Sequence, residues 1–542
     1  MAPGDCLSTL LVGIDGAGER VLGPLFDDGA LPTLQRVLDA GASGPLESQV
    51  PPWTASAWPS LYTGTNPGRH GVFDFLAFDG YDWEVVDATD VHRPPLWQLL
   101  DHHGLSSVVV NVPVTYPPEP FDGALVPGYA APEDPTCHPS GLLDDVRAAV
   151  GDYRVYPAHQ GAATPSPAEQ RAEYVELTRL RGAAFRYLVD RFEPTFGFVQ
   201  FQQTDTMIHE RPGDDETARA VYRAVDEELA AVLERHDPGT VVVASDHGVG
   251  PYEGWEFRVN EFLRERGAVV PVRGGAGMPT WATVRDRQLA AGDDEAKPRT
   301  GALARAMAAA ARVGLTSQRV AAVLGRLGID GVVRRHVPAS LASAASEQVD
   351  FPASEAYMRS RIECGVRINL EGREPKGTVP AGEYERTRQE LIDALRAVRT
   401  PDGDPVFEDV ARREEYFEGP YAERAVDVVT VPAAFDHFLS SRLSGATFGE
   451  PSEPWNHKRE GVVAMTGDGV EEPLTVEGAH LFDVAPTVLA TLGLPADVRM
   501  DGDVLHPVEP AGDLDYPAPD PTRTASTDHA VEDRLADLGY IE

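Results

Sequence analysis

Acidic and histidine side chains follow three separate apolar segments of this 542-residue chain. Asp15 follows "LSTLLVGI", Asp205 follows "TFGFVQFQQT", and the pair Asp246 and His247 follows "GTVVVAS". His209 stands four residues after Asp205, a spacing that puts both side chains on one face of a helix, where they could bind the same metal ion. Ligands of this kind would repel one another at close range unless cations lay between them. The residue types therefore predict a site for two metal ions.

Thr54 is the candidate nucleophile for such a site. It follows Pro51, Pro52 and Trp53 and begins a short predicted helix, so its hydroxyl is expected at a helix N-terminus. A threonine at this position often only caps the helix. The same helix end also favours an incoming anion such as phosphate, and a hydroxyl bound to a metal ion is deprotonated at neutral pH. Capping and nucleophilic attack are compatible roles for one residue.

Four strands are predicted beneath these residues, within 7–15, 105–114, 195–205 and 239–248. Each is apolar on both faces, and segments with helical spacing of apolar residues separate them, which is typical of a mostly parallel sheet covered by helices on both sides. Ligands of such sheets bind beyond the carboxyl ends of the strands. The α/β pattern therefore brings the three acidic strand ends to one edge.

The chain is strongly acidic, with 47 Lys and Arg against 86 Asp and Glu and a net charge of −39. Such a surface repels nucleic-acid phosphates and anionic lipid headgroups, which argues against both as general partners. It also keeps a protein soluble at high salt. Because arginine makes up nearly all of the basic residues as well, we expect a halophilic source.

Cysteine usage and the N-terminus indicate the compartment. Cys6, Cys137 and Cys364 lie far apart without metal-binding spacing, which is typical of a reducing cytosol. The first residues lack a basic segment, and their apolar run is too short for a signal peptide or a membrane span. We therefore expect a cytoplasmic protein.

The alternation of strands and helices stops near residue 265, and this change divides the chain. Residues 1–264 are predicted to form the first part of the catalytic core. Residues 265–350 are first Gly- and Pro-rich and then Ala-rich, which predicts a helical insertion or cap, with plain helical packing as the alternative. Residues 351–504 return to the core, and residues 505–542 form an acidic tail.

The order of motifs resembles the alkaline phosphatase superfamily, especially its type I phosphodiesterase/nucleotide pyrophosphatase branch. Thr54 is followed by Thr63-Gly64, Pro67 and His70-Gly71, then by the D-x-x-x-H of "DTMIH" and by "SDHG". His457 then stands before a glycine-rich strand in "NHKREGVVAMTGDG". "FDVAPTVLATLGLP", "MDG" and "LADLGYIE" match the C-terminal segments, so the resemblance covers the chain apart from the inserted region.

This resemblance implies a three-layer αβα core with a mostly parallel central sheet and an inserted cap. It also implies two divalent metal ions, usually zinc, with manganese as the alternative. Thr54 would attack phosphorus, and water would hydrolyse the covalent phosphothreonine that results. The implied ligands of one ion are Asp15, Thr54, Asp246 and His247, and those of the other are Asp205, His209 and His457.

The implied substrate is a small phosphorylated molecule, most simply a phosphodiester. Nucleotide pyrophosphatases carry an asparagine where a gapless count places Phe75, and the neighbouring Asp74 disfavours a dianionic monoester. Three basic residues are candidate anion contacts, with ordinary surface charge as the alternative. They are Arg69, Arg373 and Lys376, and Asp74 is the fourth candidate substrate contact.

Sulfatases and cofactor-independent phosphomutases share this fold but differ at the nucleophile. Sulfatases need a Cys or Ser nucleophile in a C/S-x-P-x-R segment, which "TASAW" lacks. A cofactor-independent phosphomutase uses serine where Thr54 stands. That mutase, a phosphomonoesterase and a non-catalytic metal-binding homologue remain the alternatives to a phosphodiesterase.

Overall fold

A computed structural model describes residues 7–157, 165–273, 347–470 and 473–517. The chain divides into two units. Unit 1 contains Met1–Phe75, Val85–Gly250 and His457–Glu542, and unit 2 contains Leu76–Glu84 and Pro251–Asn456. Most of the predicted insertion at 265–350 and most of the predicted tail at 505–542 lie outside the described residues, so both stay predictions.

The described part of unit 1 is built on a nine-stranded sheet. In chain order its strands are β1 Thr9–Ile14, β2 Ala42–Glu47, β3 Ser107–Val110, β4 Gly123–Val126, β5 Phe196–Phe201, β6 Thr240–Ala244, β7 Glu460–Gly467, β8 Leu474–Thr475 and β9 Ala479–His480. Their order across the sheet is β8-β2-β7-β6-β1-β5-β3-β4, with β9 also beside β2. Strands β6, β1, β5, β3 and β4 are mutually parallel, whereas β7 is antiparallel to β6 and β2. The sheet is therefore mostly parallel, as predicted.

Helices cover this sheet in two groups. The helices of unit 1 are α1 Glu19–Asp27, α2 Pro32–Ala40, α3 Thr54–Thr63, α4 Pro67–His70, α5 Leu96–His102, α6 Leu142–Val150, α7 Pro167–Phe192, α8 Gln203–Glu210, α9 Asp215–His236 and α10 Val484–Thr491. Helices α2, α6, α7 and α9 pack together, and α3, α5 and α10 form a second group. Every residue of β1, β5 and β6 is buried, because helices cover both faces of the sheet. This is the predicted three-layer α/β core.

Capping residues start the two long helices of the first group. Ser166 accepts a hydrogen bond from the amide of Glu169, whose carboxylate accepts one from the amide of Ser166, and this capping box begins α7. Asp214 accepts a hydrogen bond from the amide of Thr217 at the start of α9. Local sequence signals therefore set where these helices begin.

Unit 2 has its own sheets and its own apolar core. Its four-stranded antiparallel sheet has the order Ala356–Tyr357, Gly365–Ile368, Val428–Pro432, Phe407–Arg412. Helix Tyr384–Arg396 packs on this sheet. A three-stranded sheet contains Phe438–Ser440, Glu256–Arg258 and Phe448–Gly449, and helix Val259–Glu265 follows its middle strand.

Two strand pairs complete unit 2, namely Pro271–Arg273 with Glu347–Val349 and Leu76–Asp79 with Asp82–Val85. Residues 351–456, which the sequence assigns to the returning core, thus fall in unit 2. Among the residues described, no helix combines the length and the apolar character needed to cross a lipid bilayer.

Candidate active site

Three adjacent parallel strands of unit 1 deliver acidic side chains to one edge of the sheet. Asp15 follows β1, and Asp246 and His247 follow β6. Asp205 and His209 lie on α8, which begins just after β5. Because β5, β1 and β6 are neighbours with the same direction, their carboxyl ends meet at this edge. The structure therefore brings together the strand-end residues that the sequence singled out.

Two overlapping groups of side chains could each hold a metal ion. Candidate ligand atoms lie within 4.8 Å of one another in the group Asp15, Asp246 and His247, and also in the group Asp205, His247 and His457. His457 lies in strand Trp455–Lys458, where the chain enters unit 1 again. His247 belongs to both groups, whereas the family resemblance implies it as a ligand of one ion only.

His209 joins the second group from α8. Its Nε2 lies 3.3 Å from Asp205 Oδ1 and 2.9 Å from His457 Nε2. The helical spacing of Asp205 and His209 thus places both side chains on one side of the site, as expected.

Thr54 is the first residue of α3 and is buried. Its Oγ1 lies 3.5 Å from Asp15 Oδ1 and 3.4 Å from His247 Nε2. The N-cap position belongs to Trp53, which makes no side-chain cap, so Thr54 does not cap the helix. Its hydroxyl therefore faces the first group of candidate ligands.

Backbone carbonyls fix the orientation of two of the imidazoles. Nδ1 of His247 lies 3.0 Å from the carbonyl oxygen of Gly248, and Nδ1 of His457 lies 2.7 Å from that of Pro52. A carbonyl can only accept, so each Nδ1 carries the proton and each Nε2 is unprotonated. An unprotonated imidazole nitrogen is the form that binds a metal ion.

The site has an excess of buried negative charge. Burial, followed by the charges of Asp246 and Asp205, raises the pKa of Asp15 well above its ordinary value. Burial, followed by the charge of Asp205, raises the pKa of Asp246 to about 8. Asp205 behaves differently, because His209 and His457 outweigh its burial and hold its pKa below the ordinary value.

Two carboxylate oxygens in this cluster lack a donor. Asp246 Oδ2 and Asp205 Oδ1 are buried, and neither accepts a hydrogen bond within the described part of the chain. Burying such acceptors is costly unless positive charge compensates them. Carboxylate oxygens and neutral imidazoles are common ligands of divalent cations. Such cations would also supply the positive charge that these buried carboxylates need.

The four predicted substrate contacts lie in different surroundings. Arg69 forms an ion pair with Asp501, with Nε 2.7 Å from Oδ1, and Asp74 is buried. Arg373 belongs to unit 2, where Asp427 accepts two hydrogen bonds of 2.7 Å from its guanidinium and the carbonyl of Ile368 accepts a third. The fourth residue, Lys376, is exposed in unit 2.

Sequence reasoning missed the neutral donors behind Asp15. Trp58 donates from Nε1 to Asp15 Oδ2 at 2.9 Å, and Gln200 donates from Nε2 to the same oxygen at 2.7 Å. Thr204 donates its hydroxyl to the backbone oxygen of Asp15 at 2.7 Å. Polar residues inside the apolar run "FGFVQFQQT" were the one available signal.

A second missed network holds the start of α3. His70 Nδ1 accepts a hydrogen bond from the amide of Val72, so its Nε2 carries the proton and donates to Ser60 Oγ at 2.8 Å. Ser60 donates to Gln49, which donates to Ser56 at 2.6 Å, and Ser56 donates to the carbonyl of Val72 at 2.7 Å. The hydrogen bonds thus form a closed ring that starts and ends at Val72, and two of its members, Ser56 and Ser60, lie on the helix that begins at Thr54.

Comparison with known proteins places this geometry in context. Residues 9–461 match the family model described as type I phosphodiesterase / nucleotide pyrophosphatase. No curated protein matches the chain.

Several solved structures are similar to this chain. A mutant of alkaline phosphatase PafA is 13% identical, with 93% of this chain and 99% of that chain covered and a TM-score of 0.51. Phosphonoacetate hydrolase from Sinorhizobium meliloti 1021, in complex with phosphonoformate, is 16% identical, with 90% and 96% covered and a TM-score of 0.49. Murine ectonucleotide pyrophosphatase / phosphodiesterase 5 is 13% identical, with 90% and 96% covered and a TM-score of 0.45. The similarity to the alkaline phosphatase is one of fold.

Proposed function

Since this chain belongs to the type I phosphodiesterase/nucleotide pyrophosphatase family, whose members hydrolyse phosphoric esters, we propose that it is a metal-dependent phosphodiesterase with Thr54 as its nucleophile. The observation that carries this proposal is the position of the Thr54 hydroxyl. It is buried at the start of α3, within 3.5 Å of both Asp15 and His247. A phosphoryl group bound there would also meet the free amides of the helix N-terminus.

The proposed ligands divide between two ions. Asp15, Thr54, Asp246 and His247 would hold one. Asp205, His209 and His457 would hold the other. When bound, such ions supply Lewis-acid stabilisation of phosphoryl oxygens and favour the ionised form of a hydroxyl. Mixed imidazole and carboxylate ligands suit zinc, with manganese as the alternative.

Thr54 performs the first step once its hydroxyl proton has been lost to solvent. Its oxygen attacks phosphorus, the Thr54 O–P bond forms, and the bond from phosphorus to one ester oxygen breaks. The leaving alcohol takes the electron pair of that bond and a proton. The phosphothreonine that results keeps the second ester group of the substrate.

Water completes the reaction. Its oxygen bonds to phosphorus, the Thr54 O–P bond breaks, and the threonine oxygen regains a proton. The product is a phosphomonoester. The buried His247 and His457 keep their Nε2 atoms unprotonated throughout, because each Nδ1 keeps its proton and donates it to a backbone carbonyl, while burial lowers the pKa of each ring to about 4.

A small phosphodiester suits the charge of this protein better than a monoester. A monoester carries one more negative charge near neutral pH, and the buried Asp74 lies close in sequence to the nucleophile segment. The net charge of −39 also disfavours a polyanion such as a nucleic acid. We therefore propose a small diester with one charge on its phosphoryl group.

We also propose that the protein works in the cytoplasm of a halophile. The acidic composition supports high salt, and the buried Cys137 is a free thiol, which supports a reducing compartment.

Trapping the covalent intermediate tests the proposed reaction. Protein mixed with bis-p-nitrophenyl phosphate and quenched in acid should carry a nitrophenyl phosphoryl group on the peptide that contains Thr54. Mass spectrometry would identify the modified residue, with Thr54→Ala as the control. Modification of a different residue, or of none during turnover, would contradict the proposal.

A further inference from the structure

Asp15 offers only one of its two carboxylate oxygens to the proposed metal site. Trp58 and Gln200 both donate hydrogen bonds to Oδ2, at 2.9 Å and 2.7 Å. The other oxygen, Oδ1, lies 3.5 Å from Thr54 Oγ1 and 3.6 Å from His247 Nε2. The two donors are neutral, so they orient the carboxylate without removing the charge that attracts a cation.

Asn111 in turn holds Gln200. It donates from Nδ2 to Gln200 Oε1 at 2.7 Å and to the Gln200 carbonyl at 3.1 Å. An amide whose oxygen accepts must present its nitrogen on the other side, and this fixes which end of Gln200 reaches Asp15. Both side chains are fully or almost fully buried. Asn111 therefore acts on Asp15 through Gln200.

The backbone conformation at Asn111 and the register of β3 with β5 bring Asn111 next to Gln200. Asn111 follows β3 with a φ of 64°, a left-handed conformation that asparagine tolerates better than most residues. The pairing of Val110 with Val199 places Asn111 opposite Gln200. A Cβ at Gly13 would lie 2.5 Å from Trp58 Cη2 and 3.2 Å from Gln200 Cγ, so glycine leaves the space that both donors occupy.

We propose that Asn111 and Gln200 are positioning residues that keep Asp15 as a one-oxygen metal ligand facing Thr54. The inference rests on the proposed function for the presence of a metal ion at Asp15. Outer hydrogen bonds of this kind orient metal-binding carboxylates, and their loss typically costs about 10–100-fold in metal affinity or activity. Neither residue would touch the substrate.

Metal affinity of the full-length variants tests this role independently of turnover. Asn111→Gly keeps the left-handed backbone accessible and removes the amide, and Gln200→Met conserves volume and removes the side-chain hydrogen bonds of Gln200 to Asp15, Asn111 and Gln202. Ser107→Ala is the matched control, because Ser107 lies on β3 and its buried hydroxyl has no hydrogen-bond partner among the described residues. Each metal-free protein would be titrated with zinc against a chromophoric chelator.

We expect both variants to bind one of two zinc equivalents about 10–100-fold more weakly, while Ser107→Ala matches the wild type. In the cobalt-loaded proteins, the visible spectrum of that site should change as well. Wild-type zinc affinity and an unchanged cobalt spectrum in both variants would overturn the inference. If either variant fails to fold, Trp58→Phe serves in its place, because it removes the other donor to Asp15 Oδ2. It should also weaken zinc binding at that site, by a smaller factor.

The outcome is separable from that of the proposed function. A wild-type protein that binds zinc but shows no Thr54-dependent turnover would refute the reaction and leave the positioning role intact. A wild-type protein that binds no divalent ion would refute both.

Discussion

The imidazoles of His247 and His457 stack face to face, with ring centroids 3.7 Å apart and planes inclined by 18°. Burial, more than any charge, lowers the pKa of each ring to about 4. Two protonated rings at this distance would repel each other strongly, so the stack requires neutral imidazoles. Both Nε2 atoms are then unprotonated, the form that binds metal ions, in neutral or basic solution.

Removing His457 should lower metal content. His457→Ala is expected to lose most of one metal equivalent under limiting zinc, because it removes the imidazole whose Nε2 lies 3.5 Å from Asp205 Oδ1. Elemental analysis after dialysis measures the occupancy, with the exposed His102→Ala as the control. Unchanged metal content in His457→Ala would remove this residue from the site.

Metal-free protein should lose stability as the pH rises from 6.5 to 8. Because its pKa is raised to about 8, folded Asp246 keeps a proton that the unfolded chain has released, so the free energy of unfolding falls with pH. Asp15, whose pKa is also raised, acts in the same direction. His247 and His457 act oppositely, but their contribution is complete above pH 6.5 and is lost only as the pH falls through about 4.

Urea unfolding in the presence of a chelator measures this effect. A loss of about 1–2 kcal/mol is expected across the range, since one proton corresponds to about 1.4 kcal/mol per pH unit. Asp246→Asn should show a shallower dependence, because its amide does not ionise. Identical slopes for the wild type and Asp246→Asn would contradict the shifted pKa.

Arg373 should matter for stability rather than for substrate binding. Its guanidinium pairs with the fully buried Asp427 and holds the pKa of that carboxyl, against the effect of burial, at about 2. Arg373→Ala should therefore cost about 3 kcal/mol, because a buried charge loses its main partner. Lys376→Ala, at an exposed position nearby in sequence, should cost less than about 0.5 kcal/mol. Denaturation curves of the two variants decide this, and equal stabilities would contradict the structural role of Arg373.

His70 should support the nucleophile helix. Burial lowers the pKa of its imidazole to about 3, so the ring is neutral and donates from Nε2 to Ser60. His70→Ala would leave Ser60 and the Val72 amide without this partner and open a cavity, at a cost of about 2–4 kcal/mol. The loss should appear in thermal unfolding of the chelator-treated protein, whereas a change within about 0.5 kcal/mol would contradict the network.

The residues with charge could be identified from the sequence, because their positions follow from simple geometry. Parallel strands end at one edge, and this placed Asp15, Asp205 and Asp246 together. The i,i+4 spacing placed His209 beside Asp205. The mostly parallel three-layer core followed from apolar strands alternating with helices.

The neutral residues of the site could not be identified in the same way. Asn111 and Gln200 meet only because β3 and β5 pair in one register, and they lie 89 positions apart in the chain. His70 was noticed as part of a motif, but its partners Ser60 and Gln49 depend on how α3 and α4 pack. Residues 351–456 fall in unit 2, and this grouping could not be predicted because short strands in a separate sheet look the same in sequence as returning core strands.

The most direct test of Thr54 as the nucleophile of a phosphodiesterase is steady-state hydrolysis of three p-nitrophenyl substrates. Wild-type protein and Thr54→Ala would be compared on bis-p-nitrophenyl phosphate, p-nitrophenyl phosphate and p-nitrophenyl sulfate, in high salt with zinc or manganese. We expect the wild type to prefer the diester, and Thr54→Ala to lose kcat/KM by several orders of magnitude while keeping its metals and fold. Near-normal diester hydrolysis by Thr54→Ala, or no Thr54-dependent turnover of any of the three, would contradict the assignment.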